Sequence, residues 1–295
     1  MLPLESVPNF SEGRDRETID AIAGAVSRGA RLLDVHADPD HNRSVFTLVG
    51  RDAPLVEALL AAIAVARDRI DLRRHRGAHP RIGAADVVPL VPLAAGDMDR
   101  ARSAALALAK RVGEELRLPV FLYGEVAPNR GPAFFRKGGT EELARRLVAG
   151  ELAPDFGPRE LDPRSGGVVI GARRPLIAFN VDLRGARLED ARAIAAVVRE
   201  RDGGFPGVRA LGLDLPAAGR VQVSMNVEDW EASALHEIVA RIEAEAARRG
   251  VEVAGSELVG LMPAGAAAAA AGALLRIDGF DATRLLELRL LDEQR

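Results

Sequence analysis

One order of elements, met twice along the chain, constrains the fold more than any other feature. Near the N-terminus "SVPNF" is a short extended run. "SEGRDRETIDAIAGAVSRG" follows, with Ile19, Ile22, Ala23 and Val26 at helical spacing and Gly29 as a stop. "RLLDVHAD" and "SVFTLVG" are apolar, β-branched runs separated by the turn formers Pro39, Asp40 and Asn42, which predicts a strand pair. "APLVEALLAAIAVARDRI" reads as a helix with Pro54 in its first turn, and "ADVVPLVPL" as a strand whose prolines favour a sheet edge. This β-α-β-β-α-β order is the split unit of a ferredoxin-like sandwich. A helix over 99–116, a strand at "VFLYGE" and a short helix over 141–148 extend it.

From Pro175 the same order returns: "LIAFNVDL", a helix over 188–201, the pair "VRALGLDL" and "VQVSMNVE", a helix over 233–249, and "VEVAGSELVGL". The chain is therefore predicted to be α+β, with two ferredoxin-like subdomains covering 1–174 and 175–295 and a ligand groove between them. The intervening "PDFGPRELDPRSGGVVIGARRP" is dense in Gly, Pro and charge, as a linker or binding loop is, and "SGGVVIGA" within it reads as loop.

With 295 residues and 48% hydrophobic content, the chain can bury one large core or two smaller ones. A formal charge of −3 with 4% aromatics gives no basic stripe for nucleic acid. Absence of cysteine excludes a disulfide framework, a thiolate zinc site and a cysteine nucleophile, and fits a reducing compartment. The Met1 end lacks a basic start followed by an apolar core, and no segment approaches a membrane span. A soluble cytoplasmic protein is expected. The alanine-rich "AGAAAAAAGALL" reads as a packed helix that needs small residues.

The stretch "DLRRHRGAHPRIGAADVVPLVP" holds two of the five histidines, His75 and His79, among Arg73, Arg74, Arg76 and Arg81. The histidines are four apart, but Gly77 and Pro80 disfavour the helix that would put them on one face, so no metal site is expected. Spacing alone makes His79 a surface histidine in a basic loop; His36 ends a strand, His41 sits in a turn and His236 in a helix. Asn42 and Arg43 stand at the mouth of a hairpin. There an amide and a guanidinium can fork onto a carboxylate, or Asn42 can satisfy its own turn. Tyr123 and Glu125 close a strand, at a position suited either to ligand contact or, for Tyr123, to the core.

Taken together, "VPNFSEG", "LLDV" with "NRSVFTLVG", "RHRGAHPRIGAADVVPLVP", "VFLYGE", "APDFGP", "GARRPLIAFNV" and "SELVGLMP" resemble, in this order, the glutamate formiminotransferases, folate-dependent enzymes of histidine breakdown. The resemblance runs from Val7 to about Pro263. It implies transfer of a formimino group from N-formimino-L-glutamate to N5 of tetrahydrofolate. The histidine of the family's G-x-H-P-R motif is catalytic, which here is His79 beside Gly77, Pro80 and Arg81. Substrate contacts are expected at Asn42, Arg43, Arg81, Tyr123 and Glu125. Folate contacts are expected in the loop after D-F-G-P: Gly157, Pro158, Arg159, Glu160, Leu161, Asp162, Pro163, Arg164, Ser165 and Gly166. Tetrahydrofolate is the expected co-substrate, no metal is expected, and a homodimer is the expected assembly. Some family members carry a fused cyclodeaminase; the chain ends at Arg295, too early for one, so that activity is expected to come from another protein or to be absent. Competing readings are a transferase using N-formylglutamate, a 5-formyltetrahydrofolate-processing relative, and a folate-binding protein without catalysis.

Overall fold

The computed structural model describes residues 2–77, 80–215 and 219–293, and the chain divides into two compact units, Met1–Arg174 and Pro175–Arg295. In the first unit the order is β1 (Leu4–Ser6), β2 (Asn9–Phe10), α1 (Arg16–Val26), β3 (Arg31–Asp38), β4 (Arg43–Gly50), α2 (Asp52–Arg69) and β5 (Ala85–Pro92). It continues with α3 (Met98–Glu115), β6 (Val120–Gly124), α4 (Pro132–Arg136), α5 (Gly139–Val148) and β7 (Val168–Ala172). The strands form one sheet in which β3 pairs β4, β4 pairs β1 and β2, and these pair β5; β7 and β6 follow. The β5–β7 and β7–β6 ladders are parallel and the others antiparallel.

Local chemistry sets the helices. Asp15 caps α1 by accepting from the Glu17 N–H at 3.1 Å, and Ile19, Ile22 and Val26 then recur on one face and are buried. On α2, Leu55, Leu59, Ile63 and Ala66 do the same. With α3 these helices cover one sheet face in a single core that includes Leu4, Phe46, Leu48, Val88, Leu122 and Ile170. Each fully buried Leu or Ile there contributes about 1.5–3 kcal/mol. Because side chains alternate along a strand, Phe121, Tyr123 and Val169 point to the other face. There they pack with Phe135 of α4 and Leu143 of α5.

Two expectations are corrected. Val168–Ala172 is not loop but β7, buried along its whole length between β5 and β6. A parallel strand covered on both faces carries a short continuous apolar run instead of an alternation, and its flanking glycines hid it. Gly171 is required there, since a Cβ would lie 2.2 Å from the Tyr123 carbonyl oxygen. Nor is β5 an edge strand. Ser6 pairs Leu90 and Asn9 pairs Val87, so Pro89 falls opposite the break at Val7–Pro8 between β1 and β2. Its carbonyl accepts from Ser6 Oγ at 2.6 Å, and its missing N–H faces a stretch with no ladder to lose.

The second unit runs β8 (Ile177–Arg184), α6 (Leu188–Val198), β9 (Val208–Leu215), β10 (Arg220–Val227), α7 (Leu235–Arg248), β11 (Glu252–Val259), α8 (Ala264–Leu275) and α9 (Leu286–Glu293). Its four-stranded sheet has the order β11-β8-β10-β9, antiparallel throughout. Ile177, Val181, Val223, Met225 and Val227 meet Ile194 of α6 and Ile238 and Ile242 of α7. Gly212 lets α6 lie close on β9, because a Cβ would sit 2.4 Å from the Arg192 backbone nitrogen. The small residues of α8 serve the packing expected of them: a Cβ on Gly265 would stand 2.7 Å from the Trp230 ring. No helix among the described residues is long and apolar enough to cross a membrane.

Candidate active site

The site is built around one carboxylate inside an apolar strand. Asp86 of β5 is 0% exposed. Its Oδ1 accepts the Ile82 N–H at 2.8 Å, while Oδ2 accepts from Arg43 Nη1 at 2.9 Å and from Arg136 Nη2. Arg43 opens β4, and its Nε also donates to Asn9 Oδ1 of β2 at 3.0 Å. Arg136 ends α4, whose preceding residue, Phe135, is fully buried against Phe121 at a ring separation of 5.1 Å. Burial and the neighbouring Arg136 push the Arg43 pKa down to about 10.

The turn ahead of Arg43 is fixed by its own polar groups. Asp38 Oδ1 accepts the N–H groups of Asp40 (2.7 Å) and His41 (3.0 Å), and Oδ2 meets His41 Nδ1. Burial opposes ionisation of Asp38, but these hydrogen bonds prevail and hold its pKa at about 2. Asn42 adopts φ 47°, the left-handed region. Its Oδ1 accepts the Gly13 N–H at 2.9 Å and its Nδ2 donates to the Arg76 carbonyl at 3.1 Å.

The basic loop 71–83 lies against this turn. His75 Nε2 is 3.0 Å from the Asn42 carbonyl, and Arg81 donates to the carbonyls of Asn42 (3.3 Å) and His41 (3.2 Å). Burial, followed by the Arg81 guanidinium beside the ring, pushes the His75 pKa down to about 4, so its imidazole is neutral near pH 7. Burial likewise lowers Arg81 to about 10. At Gly77 a Cβ would stand 2.3 Å from the His41 carbonyl oxygen. His79, the expected catalytic residue, lies outside the described residues, as does Ala78.

The other side of the basic loop is held by the segment 157–166. Leu72 N–H donates to the Arg164 carbonyl, Ala84 N–H to the Ser165 carbonyl (both 2.8 Å) and Gly167 N–H to the Ile82 carbonyl (2.9 Å). Ser165 is buried and donates to Asp162 Oδ2 at 2.7 Å. Pro158 and Leu161 are half-buried, Gly166 is buried, and Gly157, Arg159, Glu160, Asp162, Pro163 and Arg164 are exposed.

Asn42, Arg43 and Arg81 thus come together. Tyr123 packs among Phe121, Phe135 and Val169, and Glu125 pairs with Arg102 of α3 at 2.7 Å. Sequence reasoning missed Asp86, Arg136 and Asn9. A lone carboxylate in the apolar run "AADVVPLVP" was the one signal that could have found Asp86, since such a group is kept only where it is paired.

Fold and site together define an α+β protein of two strand-and-helix units, the first holding a half-buried arginine cluster around one buried carboxylate. Residues 3–173 match the model of the formiminotransferase domain, N-terminal subdomain, and residues 178–280 match that of the formiminotransferase domain. The chain belongs to the formiminotransferase family. It is 41% identical over 294 residues to the glutamate formimidoyltransferase of Thermoplasma acidophilum, covering 97% of each chain. It is 39% identical over 294 residues to the enzyme of that name from Streptococcus pyogenes serotype M1, covering 98% of each. To the formimidoyltransferase-cyclodeaminase of Rattus norvegicus it is 44% identical over 272 residues, which are 88% of this chain and 50% of that protein.

Proposed function

We propose that the protein is a glutamate formimidoyltransferase that moves the formimino group of N-formimino-L-glutamate to N5 of tetrahydrofolate. The observation that carries this reading is the near full-length similarity to two proteins bearing that activity in their names. In the reaction, N5 bonds to the amidine carbon and loses its proton as the bond from that carbon to the glutamate nitrogen breaks and that nitrogen gains one. His79 is assigned both proton transfers, on the strength of the G-x-H-P-R motif. Such acid–base work supplies about 10²–10⁴-fold, and positioning of two substrates the rest. His75 is the weaker base for these transfers, because burial and the neighbouring Arg81 hold its pKa down to about 4.

Both substrates carry glutamyl carboxylates, and the arginines of the site fit them: Arg43 and Arg81 bind charge, with Asn42 holding the turn that presents Arg43. Tyr123 and Glu125 complete the proposed substrate contacts, and residues 157–166 the folate contacts. The βαββαβ order of the second unit and its β11-β8-β10-β9 sheet support reading it as ferredoxin-like. The same reading takes in a homodimeric, cytoplasmic enzyme. Purified protein mixed with tetrahydrofolate and formiminoglutamate, then acid-quenched, is expected to give the absorbance of methenyltetrahydrofolate, and folded His79→Ala to give none. A silent parent refutes the activity, and an active His79→Ala refutes the assignment of the proton transfers.

A further inference from the structure

We propose that Arg136, on α4, is the residue that selects the donor by binding its α-carboxylate jointly with Arg43. The inference rests on the transferase reading above and goes beyond it in naming a residue, a substrate and a functional group.

Charge around Asp86 is out of balance. Two guanidiniums, Arg43 and Arg136, share a single carboxylate oxygen, and Arg81 is near enough to both Asp86 and Arg136 to feel their charges. Ala78 and His79, the neighbours in the basic loop that lie outside the described residues, have no side chain able to supply an anion. Stability alone does not favour desolvating a second guanidinium against a charge already paired.

Arg136 also holds an unused donor. Its Nε is buried and has no hydrogen-bond partner among the described residues, although its Nη2 is committed to Asp86. A guanidinium donates most effectively as a two-pronged fork to a carboxylate. The surroundings hold Arg136 in place instead of letting it swing to solvent. Phe135 is locked in the core, and Arg146 of α5 lies 4.6 Å over the Phe134 ring and donates to the Phe134 carbonyl at 3.0 Å. A short helix nailed down on both sides delivers one guanidinium to a buried carboxylate, which is the arrangement of a preorganised anion contact.

The chemistry of the two substrates identifies the anion. In formiminoglutamate the α-carboxylate sits on the very carbon that bears the reacting nitrogen. The carboxylates of tetrahydrofolate lie beyond its aminobenzoyl group, far from N5. Ile82, whose N–H holds Asp86, and Arg81 follow directly on the His79–Pro80 pair of the motif. An anion contact tied to that loop therefore suits the donor.

The test uses Arg136→Gln and Arg136→Lys in steady-state transfer assays, alongside calorimetric binding of the donor analogue N-formyl-L-glutamate with tetrahydrofolate left out. Arg136→Gln is expected to raise the donor KM and the analogue Kd by about 10–100-fold, the worth of a charge-assisted contact. The tetrahydrofolate KM should stay within about twofold, and Arg136→Lys should fall between. N-formimino-4-aminobutyrate, the donor without its α-carboxylate, should be at least as poor for the parent as the full donor is for Arg136→Gln, and the variant should tell the two apart less well than the parent does. An unchanged donor KM in a folded variant, or a loss confined to tetrahydrofolate, overturns the inference. A parent that binds the analogue through Arg136 yet transfers nothing to folate upholds the inference and refutes the transferase reading.

Discussion

Replacing Asp86 with alanine removes the acceptor of three donors at once: the Ile82 N–H and the guanidiniums of Arg43 and Arg136. Side-chain exposure of the two arginines is only 14% and 16%, so water cannot take over the full solvation of the cations left behind. Breaking a buried ion pair by deleting one partner costs about 3–5 kcal/mol, against a total stability of about 5–15 kcal/mol for a domain. We expect Asp86→Ala to lose about that much, seen as a lower urea midpoint with an unchanged slope. Asp86→Asn keeps an oxygen for Ile82 and should lose less, about 1.5–3 kcal/mol. Sulfate should restore part of the Asp86→Ala loss, because an anion bound only by the folded protein stabilises it by mass action. Unfolding of Asp86→Ala within about 1 kcal/mol of the parent would refute the reasoning, since the arginines would then be solvated without the carboxylate.

The acid limb of the stability profile should carry His75 first. Its folded pKa of about 4 lies below the ordinary value of 6.5, so below pH 6.5 the unfolded chain takes up a proton that the folded chain refuses. Stability is therefore full above 6.5 and falls as pH drops towards 4; His75→Gln should flatten urea midpoints over that window, and an unaltered profile would refute it. Asp38, held at about 2 against 3.8, should act lower, its contribution present above about 3.8 and lost as pH falls through 2. Gly171→Ala forces a methyl group to within 2.2 Å of the Tyr123 carbonyl, which should cost at least the 1–3 kcal/mol typical of overpacking. A calorimetric Tm equal to the parent's would show that β6 and β7 can separate.

Much of the scaffold was legible because it is written in local periodicity. The apolar spacing in α1 and α2, the β-branched pair β3 and β4, and the whole β8–β11 unit each bury a face that the sequence marks residue by residue. Failures came where a neighbour decides. Five residues of β7 carry no period, and only the strands on either side make them a strand. Pro89 of β5 reads as an edge residue until the break between β1 and β2 supplies a stretch where its N–H is not needed.

The site divides along the same line. Its motif loop announced itself by composition, yet the cluster that gives the loop a charge to work with joins residues 34, 43 and 50 positions apart. Register explains how it forms. Asn9 lies opposite Val45 on one side and Val87 on the other, and Phe10 lies opposite Ser44 and Ala85. Pairing β2 between β4 and β5 therefore brings the start of β4 and the start of β5 to the same end of the sheet, with Arg43 and Asp86 on adjoining residues. The ladder slips between Asn9 and Phe10, and Asp86 is the extra residue at that slip. A bulge re-aims a side chain that regular pairing would have turned with its neighbours. The only carboxylate in an otherwise apolar strand is thus turned towards arginines from β4 and α4 by one misplaced residue in the ladder. Its partners follow from pairing, and no reading of the strand by itself could name them.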